Sequence, residues 1–93
     1  MRLKAKFSLD RLAATPGALE ATKASGQTPE FFLARHAAGD WGEVNQEDQH
    51  LNDEALSHGD RPLSVYKTLR GVRLYVITEA DRSLTTILLP DEY

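Results

Sequence analysis

The chain has no cysteine among its 93 residues, which excludes disulfide bonds and thiolate chemistry. It also has no long apolar run, because Asp10 and Arg11 interrupt the sequence that follows the basic N-terminal residues. A secretory signal needs roughly 7–15 apolar residues in a row, and a membrane span needs about 20. We therefore expect a cytoplasmic protein that has no contact with a membrane.

Motifs of the common cofactor and metal sites are also missing. The sequence has no phosphate-binding loop, dinucleotide fingerprint or serine nucleophile elbow. Each histidine has a carboxylate nearby, but no second histidine or cysteine at ligand spacing supports a zinc site. The histidine–carboxylate pairs are His36 with Asp40, His50 with Asp53, and His58 with Asp60. We expect no cofactor and no bound metal.

Charge is distributed unevenly along what we expect to be a single domain, residues 1–93. The net charge is −3, but residues 24–60 hold one base, Arg35, against eight acids, a net charge of −7. The flanking segments are net basic. Such a chain can fold into a dipolar surface or pair its charges internally. Its overall acidity argues against non-specific binding of nucleic acids, which depends on neutralising phosphates.

Helix signals occur three times before residue 60. Thr15-Pro16 and Thr28-Pro29 each place a hydroxyl N-cap before a proline at the first helical position. Asn45 is a third N-cap, and Gly59 suits the left-handed end of the helix that follows. The predicted helices are, approximately, residues 16–25, 29–38 and 46–58. The third is rich in acids and poor in apolar residues.

Alternating apolar and polar residues replace the helical period after Gly59. The predicted strands are residues 63–68, 72–78 and 83–89, and short polar turns separate them. A further strand is predicted in the first twelve residues, where Leu3, Ala5, Phe7 and Leu9 alternate. The predicted fold is α+β, with three N-terminal helices packed on one face of a C-terminal antiparallel sheet. That sheet has three strands, or four if the N-terminal segment joins it.

The same alternation predicts that the two faces of the sheet differ in polarity. We expect the helices to cover the aliphatic face. The opposite face is predicted to be polar and aromatic, and to carry Ser64, Tyr66, Arg73, Tyr75 and Thr85. This polar face is the predicted location of the functional site.

Four stretches of the sequence resemble a family of small bacterial proteins found largely on plasmids and other mobile elements. They are Arg35–Gly42, Arg61–Tyr66, Val76–Ser83 and Thr85–Pro90. Proteins of this family are usually called plasmid-related proteins, and sometimes a type I restriction subunit. The resemblance extends from residue 14 to residue 93. It implies a bacterial mobile element as the source and no particular activity.

The order of elements is also similar to that of the barnase, colicin and RelE-like small ribonucleases. The likeness rests on a helix that bears His36, followed by a sheet whose last hairpin reads Thr-Glu-Ala-Asp-Arg at residues 78–82. In barnase-type enzymes the turn of that hairpin holds Asp-His-Tyr, and the histidine is the general acid. Here Asp81-Arg82-Ser83 takes its place, so that histidine is missing.

RNA cleavage without a metal requires a general base, a general acid and cations around the phosphate. The candidate catalytic residues are His36 as acid or base, Glu79 as base and Arg82 as a phosphate ligand. The candidate RNA-binding residues carry cations, hydroxyls or aromatic rings, and are Arg61, Ser64, Tyr66, Arg73 and Thr85.

Structural roles are the alternative for these residues. His36 can be a core residue on the Phe32–Leu33 face, hydrogen-bonded to the Asp40-Trp41 turn. Arg82 and the acids beside it can satisfy groups of their own turn. The single tryptophan can close the edge of the sheet, and Thr85 can be an ordinary strand residue.

Two hypotheses for the function follow. The first is a non-catalytic interaction module of a mobile element, whose acidic third helix meets a basic protein partner through Asp48, Asp53 and Glu54. The second is an RNA-processing or toxin-like ribonuclease that uses the polar face of the sheet. We favour the first.

Overall fold

The computed structural model describes residues 5–93, which form a four-stranded mixed sheet with three α-helices. The elements in chain order are β1 (Arg11–Ala14), α1 (Pro16–Ala24), α2 (Pro29–Ala37), α3 (Gln46–His58), β2 (Leu63–Lys67), β3 (Arg73–Thr78) and β4 (Leu84–Leu88). A single 3-10 turn, Pro90–Glu92, follows β4. The α+β class and the order of helices before most strands agree with the prediction.

Helix boundaries lie close to the predicted positions because the predicted caps form. The side chains of Thr15 and Thr28 each accept a hydrogen bond from the backbone N–H three residues later. Asn45 Oδ1 does the same for α3, at 2.8 Å. Gly59 ends α3 in the left-handed conformation, with a φ of 76°.

The predicted antiparallel sheet is wrong, because β1 runs parallel to β4. The strand order is β1-β4-β3-β2, and only the β2–β3 and β3–β4 pairs are antiparallel. The first strand also begins later than predicted: residues 5–10 form no strand, and Leu3 lies outside the described residues. Alternation reports the two faces of a strand but not its neighbour or its direction, which here depend on a partner across most of the chain.

Helices α1 and α2 cover one face of the sheet, which we call the inner face. The core cluster on this face joins the two helices to the three longer strands, and consists of Ala18, Phe32, Leu33, Tyr66, Leu74, Val76 and Ile87. Leu9, Ala14, Ala21 and Leu89 pack against it.

The predicted polar face does not exist, because the relative phase of the strands was wrong. The register pairs Ser64 with Val76 and Tyr66 with Leu74, so these residues share the inner face. Thr85 lies there too, whereas Arg73 and Tyr75 lie on the opposite, outer face. Within one strand the alternation was correct. A shift of one residue between neighbouring strands exchanges their faces, and the sequence of a single strand does not fix it.

Helix α3 and the Trp41–Glu43 segment close the free side of β2. The backbone N–H of Val65 donates to the Trp41 carbonyl at 3.0 Å, and Glu43 donates to the Val65 carbonyl. The amide side chain of Asn52 in α3 accepts from the N–H of Leu63 and donates to its carbonyl, at 3.0 and 2.7 Å. These bonds hold α3 beside β2, where it borders the outer face, so the prediction that all three helices pack on one face is wrong for α3.

Candidate functional site

His36 lies in the core rather than at a surface. Its Nδ1 is 2.5 Å from Ser64 Oγ, and its Nε2 is 2.8 Å from Thr78 Oγ1. Thr78 Oγ1 in turn lies 2.8 Å from Thr85 Oγ1. All four side chains are completely buried. They form a row of hydrogen bonds on the inner face, so each of these buried polar side chains has a hydrogen-bond partner within the row.

Burial determines the charge of this histidine. Desolvation, with a smaller contribution from the Arg82 charge, lowers the pKa of His36 from 6.5 to about 4, so the ring is neutral at pH 7. The structure therefore matches the structural alternative, in which His36 is a core residue on the Phe32–Leu33 face of α2. The predicted bond to the Asp40-Trp41 turn is replaced by the bonds to hydroxyls, while the Trp41 ring packs edge-on against the imidazole at 5.4 Å.

The Ser64–His36 contact does not form a catalytic pair. A nucleophilic serine needs access to substrate and a histidine oriented by an acidic group. Here the serine is buried and the second ring nitrogen meets a threonine hydroxyl. In this arrangement neither residue can contact RNA.

Arg82 and Glu79 are committed to structural contacts. The Arg82 guanidinium donates to the carbonyls of Asp60 at 2.6 Å and Ala55 at 2.7 Å, which ties the last hairpin to the end of α3. Glu79 pairs with Arg61 at 3.3 Å beside the outer face. The three predicted catalytic residues therefore do not converge on one pocket.

The predicted RNA-binding residues are also divided between the two faces. Ser64, Tyr66 and Thr85 are buried on the inner face. The Tyr66 hydroxyl donates to the Asp40 carbonyl at 2.5 Å, so this ring is not free to stack on a base. Arg73 is exposed at the outer face.

The outer face is largely apolar, and a groove runs between it and α3. We call this the α3 groove; its volume is about 470 Å³. Its apolar lining is Val44, Leu51, Ala55, Leu63, Val65 and Tyr75, its charged lining is Asp48, Asp60 and Arg61, and Asn52 completes it. A second cavity of about 330 Å³ adjoins it at Arg61 and lies over Ile77 and Leu88.

Helix α3 forms one side of the α3 groove, and we call this helix the acidic wall because its charged side chains are acids and histidines. The helix holds four exposed acids, Glu47, Asp48, Asp53 and Glu54, and neither lysine nor arginine. Asp53 accepts a bond from the Trp41 indole at 2.9 Å, and Glu54 pairs with His50 at 2.8 Å. Of the three predicted partner-binding residues, only Asp48 lines the α3 groove.

Leu51 is the most exposed apolar residue among those of this site that sequence reasoning missed. Its side chain is 53% exposed, whereas the next residue of α3, Asn52, is buried. The signal in the sequence was an acidic helix with few apolar residues, since a helix that buries little of itself can leave a leucine exposed.

Comparison with other proteins adds no identification. No protein-family model, curated protein or solved structure matches the chain. Over residues 5–93, no three histidine, aspartate or glutamate side chains cluster closely enough to hold a metal ion. In the same residues, no helix is long and apolar enough to cross a membrane. The function therefore has to be argued from the geometry of the surface.

Proposed function

We propose that the protein is a non-catalytic interaction module, and that its α3 groove binds a basic segment of a partner protein that carries one apolar anchor residue. The acids of α3 attract the basic residues, and the apolar lining receives the anchor. This proposal keeps the acidic helix of the sequence hypothesis and adds the groove beside it. The cytoplasmic location of the protein and its origin in a bacterial mobile element remain predictions from the sequence.

The observation that carries the proposal is the exposure of Leu51 beside an acidic wall. The fold does not need this side chain in its core, since α3 is anchored through Asn52 and Ala55 instead. An exposed leucine one helical turn from Asp48 and from Glu54 suits an amphipathic basic ligand. Such a ligand gains affinity from the buried anchor and specificity from the charges around it.

Among residues 5–93, the three predicted catalytic residues are not brought together at a surface. His36, the predicted acid or base, is buried among hydroxyls, and Arg82 is bonded to backbone carbonyls. The ribonuclease hypothesis therefore receives no support from this geometry.

A peptide titration tests the proposal. The probe is a synthetic arginine-rich peptide with one central leucine, and its binding is measured by fluorescence anisotropy at low salt. We expect Leu51→Ser to weaken binding about tenfold, as the loss of one half-buried leucine contact implies. Asp48→Asn should weaken it about twofold to threefold, as expected for an exposed charge pair.

The matched control is Leu19→Ser, because Leu19 is 48% exposed on α1, away from the α3 groove. This variant should bind the peptide as the wild type does. A control peptide has serine in place of the central leucine. Its affinity for the wild-type protein should equal the affinity of the leucine peptide for the Leu51→Ser variant. Equal losses in the two protein variants, or no binding by the wild type, would contradict the proposal.

A further inference from the structure

The turn between β2 and β3 presents a basic and apolar knob to solvent. We call residues 67–73 the hairpin tip; they include three cations, Lys67, Arg70 and Arg73, and no acid. Leu69 is 80% exposed at its end, and Val72 is also exposed. An aliphatic residue among cations at a hairpin tip is the composition expected of a ligand for an acidic, apolar groove.

The fold pairs only one of the three charges of the hairpin tip, that of Lys67. Within residues 5–93, neither Arg70 nor Arg73 forms an ion pair. Lys67 and Arg73 lie directly opposite each other in the β2–β3 register, and like charges at such positions repel. Glu43 offsets only part of this repulsion, at 3.7 Å from Lys67. These cations therefore cost the isolated molecule stability, and a bound anionic surface would recover it.

The hairpin tip is also held in a fixed position. The backbone N–H of Leu69 donates to Gln27 Oε1 at 3.0 Å, which ties the tip to the loop between α1 and α2. Thr68 closes the turn from within, since its hydroxyl accepts from the N–H of Val72 at 3.0 Å. A knob that is already ordered loses little conformational entropy on binding.

We infer that the hairpin tip of one copy of the chain docks into the α3 groove of a second copy. The inference rests on the proposed function, and it names the basic partner. Leu69 is the anchor, and Leu51 with the lining of the α3 groove receives it. Arg70 and Arg73 face the acidic wall that includes Asp48. The base in the α3 groove lining, Arg61, is already paired with Glu79.

A hairpin tip cannot reach the α3 groove of its own molecule. Leu69 lies four residues beyond Val65 along the outgoing strand, roughly 13 Å further on at the usual rise of a strand. The contact is therefore between molecules, and each copy offers one tip and one groove. Two copies that exchange tips reciprocally form a two-fold symmetric dimer, and copies that contact through one tip and one groove at a time form larger rings or open chains.

Two complementary variants test this arrangement. The tip variant combines Leu69→Ser with Arg73→Glu, and the groove variant combines Leu51→Ser with Asp48→Lys. All four positions are exposed, and the circular dichroism spectrum checks that each variant is folded. Sedimentation velocity at low salt should show concentration-dependent association of the wild type. Each variant alone should associate at least about tenfold more weakly, because it lacks one apolar contact and reverses one charge.

Mixing the variants gives the sharpest result. The tip variant keeps an intact groove and the groove variant keeps an intact tip, so each supplies one functional half. Together they should form a 1:1 heterodimer that grows no further, with an affinity near that of one wild-type contact. High salt should weaken it, since the Debye length falls from about 10 Å at 0.1 M to about 3 Å at 1 M. A control, Leu12→Ser, changes a residue that is 53% exposed on β1 and should leave association unchanged.

The possible failures can be told apart. Wild-type protein that stays monomeric but binds the arginine–leucine peptide refutes the self-docking and leaves the proposed function standing. Association that both variants retain refutes the self-docking too, since another surface then carries it. If the wild type neither associates nor binds the peptide, the proposed function and the inference fail together.

Discussion

Acidification should destabilise the fold through His36 before the carboxylates respond. The pKa of this buried ring is lowered from 6.5 to about 4, which at about 1.4 kcal/mol per pKa unit corresponds to about 3 kcal/mol. Below pH 6.5 the unfolded state therefore binds a proton at His36 more readily than the folded state does. The free energy of unfolding should therefore be constant above about pH 7, fall as the pH drops from 6.5 towards 4, and then level off as far as His36 is concerned.

Carboxylates contribute in a lower range of pH. The pKa of Asp40 is lowered by its hydrogen bond with Arg35, and the pKa of Glu92 is lowered mainly by its bond with Thr15. A carboxylate with a lowered pKa stabilises the fold above its unfolded pKa, and this stability is lost as the pH falls through the folded value. Losses between about pH 6.5 and pH 5 therefore belong to histidine.

Urea denaturation measures this effect directly. Trp41 is buried beside His36, so its fluorescence reports unfolding. His36→Gln should be less stable than the wild type at pH 7 but should lose the dependence on pH between about 6.5 and 5. His50→Gln, which changes an exposed histidine, should keep it. A wild-type stability that stays flat over this range would refute the reasoning about the buried ring.

Three further outcomes follow from the geometry. Gly42→Ala should lower the free energy of unfolding by about 3 kcal/mol or more, since φ is 76° and a Cβ would lie 2.1 Å from the Val65 carbonyl oxygen. Gly71→Ala should lower it by only about 1 kcal/mol, because Gly71 has a similar φ of 84° but open space around it. Equal losses in urea denaturation would contradict the close approach at Gly42. Arg82→Ala should lower stability by about 2 kcal/mol, because the carbonyls of Ala55 and Asp60 lose their donor, and an unchanged melting temperature would show that these bonds contribute nothing. Purified protein should not cleave structured RNA in the absence of metal, and cleavage that His36→Gln abolishes would mean that the core opens in solution.

Local signals made the helices predictable. Each N-cap hydroxyl or amide bonds to a backbone group three residues away, so the whole motif lies within one turn of sequence. The end of α3 at Gly59 is equally local. The two turns that separate β2, β3 and β4 were also located correctly, since breaks in the alternation mark them directly.

Long-range pairing is what the sequence did not reveal. The four residues of β1 are mostly exposed, so they show no alternation, and their partner in the parallel pair lies at the other end of the chain. The error in the relative phase of β2 and β3 had the same cause. Each strand was predicted, but the register that places Ser64 beside Val76 depends on the turn geometry.

The candidate site was misplaced for a related reason. A row of hydroxyls and a histidine looks the same in sequence whether it faces water or satisfies itself inside the core. Ser64, Thr78 and Thr85 bond to His36 or to one another, and this removes them from the surface. The α3 groove could not be predicted either, because it exists only where Asn52 fixes α3 beside the start of β2.

Mapping the bound peptide by NMR tests the central claim most directly. On addition of the arginine–leucine peptide to ¹⁵N-labelled protein, the largest chemical-shift changes should occur at Leu51, Leu63, Val65 and Tyr75, which line the α3 groove. The amides of the buried row around His36 should move little. Large changes centred on Ser64, Thr78 and Thr85, with the α3 groove unaffected, would contradict the account.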